Sequence, residues 1–248
     1  MTPENYLELG CPCFLNPKHA GHLSKLEWLK NRFTEGFTVK HLFLEGEKKP
    51  SGFIEYVPGK YAWRAVDAEG YLFIHCIWIN PNKHKQKGYG SLLVNACLQD
   101  AERQGKIGVA VVTSEGSFIA GKGLFLKNGF AQVDQDDRFE LLTKQFRAGP
   151  SPKFRDWRKQ LSLYKGLNII YSNQCPWVAR SISELNDIAN EKGLELKITE
   201  LKTAREAQNA PSIYATFTLI YNGEIFADHY VSSTRFLNIL KKDLKLIK

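Results

Sequence analysis

Ile77-Trp78-Ile79-Asn80-Pro81-Asn82-Lys83-His84-Lys85-Gln86-Lys87-Gly88-Tyr89-Gly90-Ser91-Leu92-Leu93 is the stretch on which the reading of this chain turns. It closes an apolar run, residues 71–79 (YLFIHCIWI), mostly β-branched and aromatic, which suits a central strand buried on both faces. A basic loop with two glycines follows, and then a helix over 91–104 with Leu93, Ala96, Cys97 and Ala101 on one face and Gly105 as its stop. Glycines let backbone N–H groups come close to a ligand, and the first turn of a helix supplies unbonded donors with positive dipole character. Lys83, Lys85 and Lys87 add formal charge, so the stretch suits a pyrophosphate. Composition alone leaves a structural capping loop equally open. The phosphate loop of nucleotide triphosphatases is excluded because no Gly-Lys-Ser/Thr stands at its spacing. The dinucleotide fingerprint is excluded because no third glycine follows Gly88 and Gly90 three residues on.

Outward from this point the first part of the chain reads as mixed α/β. Leu23, Leu26, Leu29 and Phe33 recur at nearly helical spacing before Gly36, and residues 37–44 and 52–57 predict a hairpin across 46–50. Residues 107–112 predict a second buried strand, 118–128 a short helix ending in Gly129-Phe130, and 131–134 and 138–143 two last strands. The segment Arg147-Ala148-Gly149-Pro150-Ser151-Pro152-Lys153 breaks both helix and strand and marks a boundary. The expected division is a first domain at 1–147, a basic linker at 148–166 and a second domain at 167–248. The second domain reads β-α-β-(α)-β-β-α, with its clearest signal in the hairpin about Asn222-Gly223.

With 248 residues, 43% hydrophobic and 24% charged, the chain is of ordinary globular make-up and long enough for a substantial core. No apolar run nears the ~20 residues of a membrane span, and the first residues have no secretory pattern, so a cytoplasmic protein is expected. Five cysteines, at 11, 13, 76, 97 and 175, do not form a disulfide framework. The net charge of +8 is concentrated in part between Gly149 and Gly166, where five basic residues face one acidic. A linker explains that run better than nucleic-acid binding does.

Lys85-Gln86-Lys87-Gly88-Tyr89-Gly90 resembles the acetyl-CoA pyrophosphate loop of the GNAT superfamily, Arg/Gln-x-x-Gly-x-Gly/Ala, placed after the fourth strand at a helix start. Gly123-Leu124-Phe125-Leu126-Lys127-Asn128-Gly129-Phe130 is similar to that family's late helix, which commonly ends in Gly-Phe. Residues 52–59, Ala62-Trp63-Arg64 and Ile74-His75-Cys76 resemble a subgroup that carries a YoaP-like C-terminal domain. The resemblance implies a GNAT-type mixed central sheet with flanking helices, followed by a small thioredoxin-like α/β domain. It implies an acetyl-CoA-dependent N-acetyltransferase acting on an amine by direct attack. Cofactor contacts would come from Ile77, Trp78, Ile79, Lys85, Gln86, Lys87, Gly88, Tyr89, Gly90, Ser91, Phe125 and Lys127.

Two departures from the pattern stand out. Lys85 keeps the charge of the loop's first position but lacks the planar fork of arginine. Phe125 stands where many members carry the tyrosine that protonates the leaving thiolate, so that proton must come from another group or from water. The general base is expected to be Glu55 or His75 near the fourth strand, directly or through water. The alternatives are a charge on a solvated strand face for Glu55 and a hydrogen-bonded core position for His75. Cys11-x-Cys13 with His19 and His22 has atypical zinc spacing, so no metal is expected. Cys175 precedes a helix at the place of the thioredoxin nucleophile, but Val178 replaces the second cysteine. A structural second domain is the expectation, and a non-enzymatic acyl-CoA binder or a Cys175-dependent thiol sensor is the alternative to catalysis.

Overall fold

The computed structural model describes residues 1–116 and 118–248. Its backbone falls into two compact units. The first comprises Met1–Phe14, Leu29–Ala62 and Val66–Arg155, and the second Leu15–Trp28, Trp63–Ala65 and Asp156–Lys248.

The first unit is built on β1 (Thr38–Leu42), β2 (Gly52–Pro58), β4 (Tyr71–Ile79), β5 (Gly108–Thr113), β6 (Ala131–Asp136) and β7 (Phe139–Gln145), in the order β1-β2-β4-β5-β7-β6. Only β4 and β5 run parallel; the other neighbours are antiparallel, so the sheet is mixed. Its helices are α1 (Tyr6–Leu9), α3 (Tyr89–Arg103) and α4 (Gly123–Lys127); α2 (Gly21–Phe33) has its residues 21–28 in the second unit. Helix α3 is the crossover between the parallel strands, as such a pair requires. It buries Leu93, Val94, Cys97, Leu98 and Ala101 against Ile54, Tyr56, Leu72, Ile74, Val109 and Val111 of the sheet, which forms the core of the unit.

Two expectations are corrected. The late helix begins at Gly123, not at 118, because Phe118 has a left-handed backbone (φ 66°) and glycines at 121 and 123 disfavour earlier helical turns. Strand β4 is buried only through His75; from Cys76 onward it is half-exposed, since β5 no longer covers it. Residues 148–166 hold a strand, β8 (Lys153–Phe154), which pairs with β3 (Val66–Asp67), and a 3-10 helix over Trp157–Leu163.

The second unit carries β9 (Leu167–Tyr171), α5 (Val178–Glu191), β10 (Leu196–Glu200), α6 (Ala204–Gln208), β11 (Phe217–Tyr221), β12 (Glu224–Ala227) and α7 (Ser233–Asn238). The sheet order is β10-β9-β11-β12, with β9 and β10 parallel and the last two strands antiparallel. Apolar residues of α5 and α7, among them Val178, Leu185, Phe236 and Ile239, pack on Leu167, Ile169, Phe217 and Leu219. A capping box between Thr203 and Glu206 starts α6.

Candidate active site

Strands β4 and β5 pair at Tyr71–Gly108, Leu72–Val109, Phe73–Ala110 and Ile74–Val111, and then part. The cause lies in β4. On its other edge Ile74 faces Tyr56 while Cys76 faces Glu55, so His75 is the extra residue of a β-bulge. A bulge shifts the phase of a strand by one residue. Before it, Leu72 and Ile74 turn their polar backbone toward β5; after it the phase is carried by Ile77 and Ile79. The amide of Asn80 donates to the Ser51 carbonyl at 2.9 Å, on the β2 side, and the Trp78 carbonyl lies beside Gly52. By alternation the Trp78 amide also belongs to β2, and those of Ile77 and Ile79 face the gap that β5 has left. Of the three residues expected to offer backbone donors there, two are so oriented.

At the mouth of the gap the chain makes the basic turn. Gln86 and Gly88 both have positive φ, 63° and 83°, and Gly88 caps α3. The first intrahelical bond runs from the Leu92 amide to the Gly88 carbonyl at 3.0 Å, so the amides of Tyr89, Gly90 and Ser91 have no acceptor within the helix. A Cβ placed on Gly88 would meet nothing within 4 Å, whereas one on Gly90 would lie 3.1 Å from Leu124 of α4. Lys85, Gln86 and Lys87 are exposed. Residues and donors of this kind fit the pyrophosphate of a CoA thioester: backbone amides, two lysines and an open glycine surface. Helix α4 is fastened to α3 by Asn128, whose Nδ2 donates to Ser91 Oγ at 3.0 Å and to the Leu124 carbonyl at 2.7 Å. Lys127 is exposed on α4. The ring of Phe125 is fully buried and meets Phe130 edge-on at 5.4 Å, so it faces the core of the unit.

Glu55 and His75 share the sheet face away from α3. Glu55 is completely buried, which removes the solvated-face alternative for its carboxylate. His75 is 8% exposed, stacked on Phe37 at 5.5 Å and edge-on to Phe73 at 5.3 Å. Trp78 continues this aromatic face through Phe14, 5.4 Å away, which also meets Phe53. Sequence reasoning missed Glu47. Its Oε1 accepts from Lys83 Nζ and from His84 Nε2, each at 3.0 Å, and so ties the hairpin connection to the basic turn. No local signal marks a contact over 36 residues of chain.

In the second unit Cys175 lies three residues before the first residue of α5 and is half-buried; all five cysteines are thiols. The residue before it is held from two sides. Lys25 Nζ donates to the Gln174 carbonyl at 2.8 Å, and the Arg64 guanidinium to Gln174 Oε1 at 3.0 Å, both cations being buried. Among the described residues no group of three or more His, Cys, Asp or Glu side chains is placed to hold a metal, and no helix is long and apolar enough to cross a membrane.

The YoaP-like family model matches residues 195–238. Over 247 residues, 97% of this chain and 96% of the relative, the sequence is 28% identical to the uncharacterized N-acetyltransferase YoaP of Bacillus subtilis (strain 168). Among solved structures, the PaiA N-acetyltransferase from Thermoplasma acidophilum in complex with coenzyme A is 17% identical with a TM-score of 0.39, covering 49% of this chain and 71% of that one. The ribosomal-protein-alanine N-acetyltransferase from Brucella melitensis is 18% identical with a TM-score of 0.38, covering 48% and 75%. The acetyltransferase (GNAT) family model matches residues 4–130, more than half of the 248, and with that match the chain belongs to the GNAT family of N-acetyltransferases, whose acetyl donor is acetyl-CoA.

Proposed function

We propose that the protein moves the acetyl group of acetyl-CoA to an amine of a small molecule or peptide by direct attack in a ternary complex. The observation that carries this reading is the parting of β4 from β5 after Ile74, beside the glycine turn that begins α3. Lys85 and Lys87, with the amides of Tyr89, Gly90 and Ser91, would hold the pyrophosphate. The Ile77 and Ile79 amides would lie along the thioester arm, where a donor stabilises the negative charge that builds on the carbonyl oxygen during attack.

The ammonium form of an amine has no lone pair, so a proton must leave before or during attack. Glu55 or His75 takes it, directly or through water, from the face that both residues share. The nitrogen bonds to the acetyl carbon, the carbon–sulfur bond breaks, and the CoA sulfur leaves with the electron pair. Phe125 carries no hydroxyl and is buried, so water or a second polar group returns a proton to that sulfur.

The sheet order of the second unit and the place of Cys175 before α5 support a thioredoxin-like reading of that unit. With Val178 at the position of a second thiol, its part is to shape or present the acceptor. A non-enzymatic acyl-CoA binder, or a sensor acting through Cys175, is favoured in one respect only, the lack of a hydroxyl at 125.

Calorimetry with acetyl-CoA on the intact protein and on Gly88→Glu tests the donor site. The new side chain projects into open space but sits at a φ of +83°, so the fold should survive at a cost of about 1–2 kcal/mol, checked by thermal unfolding, while micromolar binding is lost. Release of CoA thiol from an amine library then separates an enzyme from a binder. A folded protein that does not bind acetyl-CoA overturns the reading.

A further inference from the structure

We propose that Glu47, in the connection between β1 and β2, is a positioning residue for the acetyl-CoA turn, holding that turn in its binding shape through His84 and Lys83. The inference rests on the donor site described above. The turn is fixed at both ends of residues 80–84. At the start, the Asn80 amide donates to the Ser51 carbonyl at 2.9 Å, and the Ser51 amide donates to Leu42 of β1 at 2.7 Å. Further along, Lys83 Nζ and His84 Nε2 both reach Glu47 Oε1, while Ser51 Oγ donates to Glu47 Oε2 at 2.9 Å. Oε1 therefore joins the hairpin to the turn, while Ser51 holds Oε2 within the hairpin connection itself.

His84 is the main lever. The residue is 7% exposed although those on either side of it are exposed. Its Nδ1 is buried with no hydrogen-bond partner among the described residues, so Nε2 is where the ring is held, and a carboxylate opposite Nε2 makes that nitrogen the proton donor. The ring also meets Tyr89, the first residue of α3, edge-on at 6.1 Å. Glu47 thus acts, through one buried ring, on the helix start that supplies the amide donors. Lys83 is engaged by the same carboxylate, which leaves Lys85 and Lys87 as the lysines of the turn that face a ligand. The hydrogen bond from Lys83, then that from Ser51 and that from His84, hold the Glu47 carboxyl below its ordinary range, so it is an anion at neutral pH.

The sign of the effect is diagnostic. A carboxylate near a site for a polyanion, acting by charge alone, weakens binding, and its removal should tighten it. A carboxylate that orders the turn does the opposite, because without it the ligand must itself order a loose loop.

The experiment compares Glu47→Ala, Glu47→Gln and His84→Ala in the full chain, by acetyl-CoA calorimetry, steady-state kinetics, and hydrogen exchange of amides 83–91. Glu47→Ala is expected to raise Kd and KM for acetyl-CoA about tenfold. The amine KM and kcat should stay within about twofold, since only donor binding is addressed. Glu47→Gln, which keeps an acceptor for the ring, should recover part of the loss. Combining Glu47→Ala with His84→Ala should cost less than the sum of the two single losses, since both remove the Glu47–His84 contact. Unchanged or tighter acetyl-CoA binding in Glu47→Ala overturns the proposal, as does an equal loss in amine KM and kcat. If the unaltered protein binds no acetyl-CoA, the donor-site reading fails on its own, and exchange still decides for Glu47. Faster exchange at 83–91 in the variants supports its hold on the turn, and unchanged exchange overturns it.

Discussion

Ile74 and Val111 form the last rung between β4 and β5, and one residue later the bulge at His75 changes which amides of β4 look toward the vacated edge. The amides of Ile77 and Ile79 and that of Trp78 should therefore differ in what they do. Replacing the amide by an ester at Ile77 or Ile79, through the corresponding hydroxy acid, removes one donor and leaves the side chain. We expect kcat to fall about tenfold to a hundredfold at whichever of the two meets the carbonyl oxygen, with stability nearly unchanged. The same change at Trp78 should cost about 1 kcal/mol of stability through a lost ladder bond, with little effect on kcat. Equal kinetic effects at 77, 78 and 79 would contradict the phase shift.

Asp100, on the inner face of α3, is the hub of a polar group beneath the sheet. Its carboxylate accepts from the Tyr56 hydroxyl and from Arg103, and pairs with Lys40 Nζ at 2.8 Å. Burial by itself would push this carboxyl up, but the hydrogen bonds from Lys40, Tyr56 and Arg103 outweigh it and hold the group below its usual value. A carboxyl depressed in the folded state contributes stability that is full above its unfolded value and is lost as pH falls through the folded one. Asp100→Asn should destabilise the protein by about 2–4 kcal/mol at pH 7. Denaturant titrations should show the gap between the two proteins closing below pH 4. A gap independent of pH would mean that packing, not charge, is at stake.

His41 on β1 titrates in a different window. Both ring nitrogens are buried without hydrogen-bond partners among the described residues, and burial lowers the imidazole to about 4 from an ordinary 6.5. The unfolded chain binds a proton here before the folded one does. Stability should therefore decline as pH falls from 6.5 toward 4 and level off below. His41→Phe should flatten that limb and leave the Asp100 limb in place. Persistence of the decline in the variant would assign it to another group.

The main strands along the chain, helix α3 and the glycine turn are legible in the sequence because each is a local pattern. An apolar run, a period of 3.6 and a glycine at a helix start are visible within 20 residues of chain. The bulge at His75 was not legible, since YLFIHCIWI reads as one unbroken strand and only its two neighbours decide where it slips. The motif places Phe125 on the late helix. Its packing on Phe130 depends on how α4 rolls on the core, which a motif does not encode. Glu47 reaches His84 across 37 residues, and such long-range pairs leave no periodic trace.

The second unit shows the same limit, and its most exacting test is Gly21. Residues 15–28 and 63–65 belong to this unit although they precede Gly166 by a hundred residues or more. The Ala65 amide donates to the Ile213 carbonyl at 3.3 Å, and Arg64 lies over the Tyr214 ring at 4.3 Å. A Cβ on Gly21 would stand 1.9 Å from the Pro176 carbonyl oxygen and 2.8 Å from its carbon, backbone atoms that cannot swing aside. One turn on, Lys25 anchors the same loop at Gln174. In an ordinary helix Gly→Ala gains about 1 kcal/mol. Here the clash outweighs that gain, and Gly21→Ala should lose about 2–4 kcal/mol net. Gly193→Ala is the control: its φ is +66° with nothing within 4 Å, so left-handed strain alone should cost about 1–2 kcal/mol. Thermal unfolding of the two variants decides the matter. If Gly21→Ala is no worse than Gly193→Ala, the start of α2 does not press on the loop of Cys175, and residues 15–28 have no structural part in the second unit.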